Sequence, residues 1–345
     1  MKKYMLTALT VLSLVFSSCH EIEEYPNTTV GNFEQLWQLF DEHYCFFREK
    51  GVDWDAVHDK YAPRAAACQS ERELFSVCSD MIGELRDGHV NLSSWFDTYY
   101  YRAWWSDYPQ NYDARIVREN YLYFKYDQVG SVSFAILPDN IGYVRIPSFE
   151  SGLGESNMDA ILSKMRLCHG IIIDVRDNGG GYLTNVETLV ARFISDDLYA
   201  GSISHKTGPG HNDFSEPYDY YFHPAPASRI KYMKPVVILT NRSSYSATNN
   251  FVSIMKFLPR VRIVGDTTGG GSGLPFTSEI PCGWTVRFSA CSILDASGKE
   301  TEFGVEPSEG CKVDMTDDDR ARGRDTILET AFTVLTSMIS EGSPV

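Results

Sequence analysis

A serine on a sharp bend between a buried strand and a helix can attack an acyl carbon, and Lys234 to Leu258 (KPVVILTNRSSYSATNNFVSIMKFL) has that form around Ser246. A hydroxyl there meets the unpaired N–H groups and the dipole of a helix start, which favour developing negative charge. The blander alternative is that Ser243, Ser244 and Ser246 only cap the helix. A second stretch, Asp174-Val175-Arg176-Asp177-Asn178-Gly179-Gly180-Gly181, ends an apolar strand in a run of glycines. Such a turn brings backbone N–H groups close to an oxyanion, so Gly180 or an adjacent glycine, with the Ala247 N–H, is a candidate oxyanion hole; a plain tight turn explains the glycines equally well. GxGxxG and GK[ST] are absent, which excludes a dinucleotide or phosphate loop. The third feature is His89, in Leu85-Arg86-Asp87-Gly88-His89 at a helix end. Imidazole is the side chain whose ordinary pKa suits a base at neutral pH, although a lone histidine there is ordinarily a capping or surface residue.

The elements that must carry these residues are legible as patterns. Val236, Val237, Ile238 and Leu239 form a short run suited to a parallel sheet, and Ala247, Phe251, Ile254, Met255 and Leu258 recur at helical spacing. Ile171 to Val175 repeats this arrangement, followed by a helix opened by Thr184 and Glu187. Upstream, Phe33, Leu36, Trp37, Phe40, Tyr44 and Phe47 predict one helix, and Ser70 with Glu73 begins another. Trp95 to Gln128 is rich in Tyr and Trp and reads as short strands. Leu198 to Tyr232 reads as an irregular insertion. Trp284 to Phe288 and Ser292 to Leu294 read as two strands after a mobile loop, Gly265 to Gly273. Alternation of strands and helices from Ile141 onward predicts an α/β fold with a mainly parallel sheet and flanking helices, preceded by a helical domain, hence partly α+β. The expected organisation is a leader over 1–18, a tether over 19–31, a helical domain carrying His89 over 32–95, and an aromatic-rich β segment over 96–140. An α/β core over 141–338 and a tail over 339–345 complete it.

With 345 residues, 43% of them hydrophobic, the chain can bury a large core. A formal charge of −15 disfavours nucleic acid and anionic lipid surfaces. Lys2, Lys3, the apolar run Met5 to Phe16 and Ser17-Ser18-Cys19 form a secretory leader that resembles a lipoprotein signal, with the lipid on Cys19. A cell-envelope lipoprotein is therefore expected, at the outer membrane facing periplasm or cell surface, touching membrane only through that lipid. The seven cysteines after Cys19 are odd in number, so buried free thiols are expected, Cys78 among them. No metal-ligand spacing occurs, and no metal or other cofactor is expected.

Four segments, DGH at Asp87, DVRDNGGG at Asp174, TNRSSYSAT at Thr240 and GDTTGGG at Gly265, occur in one order. By them the chain resembles the C-terminal processing (tail-specific) serine peptidases, in the branch with the tricorn protease core and interphotoreceptor retinoid-binding protein. The likeness runs from about Phe33 to Met338 and implies a ClpP/crotonase-like superhelical core. It implies Ser246 as nucleophile, Ser244 as a supporting serine, and His89 as base. The lysine used by another branch would fall 25 residues after Ser246, where Gly271 stands. A glutamate near the Gly-Val-x-Pro turn that orients the histidine would be Glu302, or alternatively Glu306. Asn249 stands where many relatives carry Glu, and too little chain separates His89 from Ile141 for the PDZ module many members insert. The implied activity is a serine endopeptidase acting on peptides or unfolded proteins, rising with pH between about 6 and 7.5. The alternatives are a peptidase-fold lipoprotein that binds peptide or another ligand with little or no turnover, and an esterase using the same serine.

Overall fold

The computed structural model describes residues 25–341. The described residues open with a helix over Thr29–His43, capped by the Thr28 hydroxyl, which accepts from the Gly31 N–H. Its apolar face stops short of Phe47, which begins a separate single turn over Phe47–Lys50. A helix over Trp54–Ala67 follows, capped by Asp53 and containing Pro63. It buries only Trp54, Tyr61 and Ala65, and so weak a stripe explains why periodicity did not reveal it. The next helix, Glu71–Gly83, begins as expected: the Ser70 hydroxyl accepts from the Glu73 N–H, and Leu74, Cys78, Met81 and Ile82 are buried.

Among the described residues, twelve strands build two sheets. In order they are β1 (Asn91–Ser93), β2 (Thr98–Tyr100), β3 (Asp127–Val129), β4 (Val132–Leu137), β5 (Ile141–Arg145) and β6 (Gly170–Asp174). β7 (Leu198–Ser204), β8 (Tyr218–Phe222), β9 (Val236–Thr240), β10 (Val261–Gly265), β11 (Leu274–Glu279) and β12 (Thr285–Asp295) follow. One sheet has the order β10-β9-β6-β5-β4-β3. Its β5, β6, β9 and β10 run parallel, as the alternation of elements predicts, and β3 and β4 add antiparallel to its edge. Val236 and Ile238 bury into one core with the helices Glu155–Met165, Leu183–Val190 and Ala247–Met255. Val237 and Leu239 bury on the opposite face under the last helix, Thr326–Glu341. Burial on both faces is why these strands read as unbroken apolar runs.

The second sheet, order β2-β1-β12-β7-β8 with β11 also on β12, is antiparallel throughout. It departs from the sequence reading in three places. The supposed irregular insertion contributes β7 and β8, paired over Leu198–Ile203 with Tyr218–Phe222. The two short strands near the C-terminal third are one 11-residue strand, β12. The aromatic segment keeps strand form only at β2 and at the start of β3, while residues 114–121 are helical, opened by Asp113, whose carboxylate accepts from the Arg115 and Ile116 N–H groups. Trp284, just before β12, and Val286 and Phe288 of β12 pack with Phe33, Phe40 and Ile82, joining the N-terminal helices to this sheet in one core. Across the register Asn91↔Arg287, Leu92↔Val286 and Ser93↔Thr285, β1 carries the chain just after His89 onto β12. The described cysteines are all free thiols, with Cys45, Cys78, Cys168 and Cys311 buried. The Cys19 leader lies outside the described residues. Among those residues, no helix is long and apolar enough to cross a membrane.

Candidate active site

The strand β9 ends at Thr240, and the helix Ala247–Met255 starts seven residues later, with Ser246 between them at φ 57° and ψ −121°. That backbone is rare for a residue with a side chain and stores strain, of order 1–3 kcal/mol, which the surroundings must hold. They do so from two sides: the Ser246 N–H donates to Gly270 O at 2.9 Å, and the Tyr245 N–H donates to Asn178 O at 3.0 Å. Ser246 occupies the cap position, yet its hydroxyl makes no capping bond. Instead Ser246 Oγ lies 2.9 Å from His89 Nε2. The bland capping explanation therefore fails for Ser246. Ser244 is fully buried, donates its hydroxyl to Val175 O at 2.8 Å and accepts from the Asn241 N–H at 3.2 Å. It ties the serine turn to the end of β6 and does not touch the Ser246 hydroxyl.

His89 is delivered by the turn after the helix Glu71–Gly83. Asp87 Oδ1 accepts from the His89 N–H at 2.7 Å, while Tyr44 donates its hydroxyl to Asp87 Oδ2 at 2.9 Å. Burial holds the His89 imidazole well below its ordinary pKa, down to about 4, with Arg287 and Lys50 pushing the same way and Asp87 opposing. The ring is thus neutral at physiological pH. With Nε2 accepting from Ser246, the ring proton sits on Nδ1, and the group nearest to receive it is Ser289 Oγ of β12, at 3.4 Å.

The two glutamates separate clearly. Glu306 is an exposed partner of Lys312, 3.0 Å away. Glu302 is buried, paired with Lys50 Nζ at 2.9 Å and accepting from the Ser272 N–H at 3.0 Å. It makes no hydrogen bond to His89. Burial and then the Asp87 carboxylate push Glu302 up to about 8, against Lys50. Lys50 in turn is raised because Asp87 and Glu302 together outweigh its burial. Asp87, Lys50 and Glu302 thus form a buried polar cluster behind the imidazole, reaching the serine loop through Ser272.

The glycines have distinct jobs. A Cβ on Gly180, whose φ is +104°, would lie 2.8 Å from Ser246 Cβ and 3.0 Å from Ala247 N, so only glycine fits beside the serine. Its N–H, however, donates to Asn178 Oδ1 at 2.9 Å. It is the neighbouring Gly181 that lines the cleft with Ser246 and Ala247. The Ala247 N–H, at the first turn of its helix, makes no hydrogen bond to another described residue. At Gly271 a Cβ would meet the Tyr245 ring at 2.4 Å, and that ring stacks on Trp104 with centroids 3.9 Å apart. The space a lysine would need is therefore filled by Tyr245, itself held by the aromatic segment. Lys256 donates to Glu306 O, away from the serine. Asn249 is buried, donating to Thr301 O at 3.2 Å and accepting from the Thr268 hydroxyl at 2.6 Å. It fastens the loop after β10 and is a structural tie in this chain. Sequence reasoning missed Ser289, Lys50 and Tyr245, because each acquires its neighbours through contacts distant in the chain. No cluster of three or more metal-ligating side chains occurs among the described residues.

Comparisons with known proteins bear on the family and the fold. The Peptidase family S41 profile matches residues 140–309, and the Tricorn protease C1 domain profile matches residues 26–83. A solved candidate peptidase from Parabacteroides merdae ATCC 43184 is 45% identical, with 90% of this chain and 97% of that one covered and a TM-score of 0.84. The carboxy-terminal processing protease CtpB of Bacillus subtilis is 26% identical over 172 residues, 49% of this chain and 33% of that protein. Mature CPAF shares the fold at a TM-score of 0.72 with 14% identity, over 92% of this chain and 98% of that one. A neutral imidazole on a strained serine between two glycine loops defines a serine-type hydrolase, and the matches narrow the class. The chain belongs to peptidase family S41. Its match spans about a third of the length of the Bacillus subtilis relatives.

Proposed function

We propose that the chain is an active serine endopeptidase that cleaves peptide or protein substrates through an acyl-enzyme on Ser246. The observation that carries this is the 2.9 Å contact between Ser246 Oγ and His89 Nε2. His89 takes the hydroxyl proton as Oγ attacks the scissile carbonyl, then returns it to the leaving amine; water enters by the reverse path. The Ala247 N–H and a glycine N–H of the 179–181 turn receive the oxyanion, Gly181 in preference to Gly180, whose donor is already engaged. Ser289 and the Asp87, Lys50 and Glu302 cluster hold the imidazole in place. A fluorophosphonate probe is expected to label Ser246 in the wild type and to leave Ser246→Ala unlabelled. Labelling that persists in the variant, located elsewhere by peptide mapping, refutes the assignment. Labelling of Ser246 with ester but no peptide turnover would favour an esterase.

We further propose that the protein is an envelope lipoprotein anchored through the Cys19 thiol, on the strength of the leader and its Ser-Ser-Cys junction. Cys19→Ala is expected to move the protein from the membrane pellet to the soluble fraction after carbonate washing. A variant that stays in the pellet rules the anchor out.

A further inference from the structure

We propose that Arg287 is a carboxylate-reading residue of the substrate cleft, selecting peptides that carry a carboxylate next to the bond cleaved. The inference rests on the peptidase reading of Ser246. An arginine shut away from water must find an acidic neighbour. The buried arginines do: Arg176 pairs with Asp174 and Asp325, and Arg192 with Glu155 and Asp159. The side chain of Arg287, exposed at the cleft, forms no hydrogen bond and no ion pair with any described residue, and it lines the cavity that contains Ser246.

That cavity, about 70 Å³, is small against the roughly 300–1,000 Å³ of sites for whole small molecules, so it suits a side chain or chain end. Leu274, Pro275 and Ile293 give it an apolar wall, and Arg287 is the one charged residue lining it. Position follows from the fold. On β12, Val286 and Phe288 point into the core, while Arg287 faces the same way as Ser289, the neighbour of the His89 ring. The guanidinium is also close enough to push the imidazole toward its neutral form. When a substrate excludes water from the cleft, this cation needs a partner, and a planar guanidinium matches a carboxylate with two parallel hydrogen bonds. Two sources present that group on a peptide: an Asp or Glu side chain beside the scissile bond, and a free C-terminus.

The test uses matched peptides that differ only in Glu against Gln at each of the two positions on either side of the bond. A further pair differs only in a free against an amidated C-terminus. In the wild type, the acid member of at least one pair is expected to be preferred by about tenfold in kcat/KM, as charge-assisted hydrogen bonds allow. The pair that shows it identifies the source. The ratio is expected to fall to near one in Arg287→Gln, to survive in part in Arg287→Lys, and to invert toward Lys-containing peptides in Arg287→Glu. Each ratio is measured within one preparation, so a partly unfolded variant does not distort it. Wild-type ratios near one for every pair overturn the proposal, as does a preference that Arg287→Gln retains. The same peptide pairs are titrated onto Ser246→Ala and onto Ser246→Ala/Arg287→Gln. These binding ratios report carboxylate recognition even if the peptidase reading fails, and keep the two outcomes apart.

Discussion

His89→Ala is expected to lower kcat by roughly four to six orders of magnitude, and the double variant with Ser246→Ala to be little worse than either single one. The physical basis is that a serine hydroxyl is a poor nucleophile until a base takes its proton, and the described surroundings of Ser246 offer His89 alone at 2.9 Å. Tyr245 closes off the alternative, because its ring occupies the place of any side chain on Gly271. The pH profile is the readout that a merely structural histidine would not move. Only the neutral imidazole accepts a proton, so kcat/KM falls as pH falls through the His89 pKa, which burial displaces to about 4. Activity is therefore expected to hold from neutrality down to about pH 5 and to drop below it. That differs from the rise between about pH 6 and 7.5 expected of an unperturbed histidine, and burial at the interface with β12 is the reason. Retention of most activity in His89→Ala, or additive losses in the double variant, would remove His89 from the mechanism.

Arg176→Met is expected to destabilise the fold by about 3–5 kcal/mol, because it leaves two buried carboxylates without their shared cation. Arg176, Asp174 and Asp325 are all fully buried. The guanidinium donates to both oxygens of Asp174 at 2.7–3.0 Å and to both of Asp325 at 2.8–2.9 Å. Asp325 also caps the last helix, accepting from the Leu328 N–H at 3.0 Å. One side chain thus ties the start of the Gly179 to Gly181 turn to the C-terminal helix. Burial alone would raise the Asp174 pKa, but Arg176, Arg145 and the Tyr143 hydroxyl lower it below its ordinary value. The stability so gained is present above the unfolded carboxylate range and is lost as acid protonates the folded group. Arg176→Met should accordingly flatten the dependence of stability on pH below about pH 4. Denaturant melts of wild type and variant across that range measure both effects. A loss under about 1 kcal/mol at neutral pH would show that the cluster is not what holds the turn.

The sequence by itself determined the parallel core and pointed to the serine turn. Strands buried on both faces must be apolar throughout, so β6 and β9 announced themselves in Ile171 to Val175 and Val236 to Leu239, and the serine turn followed from the strand and helix around it. His89 and Glu302 were legible only through their resemblance to an ordered set of motifs, since one histidine after a helix carries little information alone. The antiparallel sheet was not legible. Its strands come from residues 91–100, 198–222 and 274–295, and pairing between such distant segments depends on which edges meet in space, which no local pattern encodes. That sheet decided the site. By seating Asn91 on Arg287 it set His89 against Ser246, placed Ser289 beside the far ring nitrogen, and left Arg287 unpaired in the cleft. The tertiary structure also gave the Gly180 N–H to Asn178 and left Gly181 on the wall of the cleft that holds Ser246. The glycine run supplies backbone freedom to several residues at once, and only the packed loops decide which of its N–H groups are engaged and which stay free.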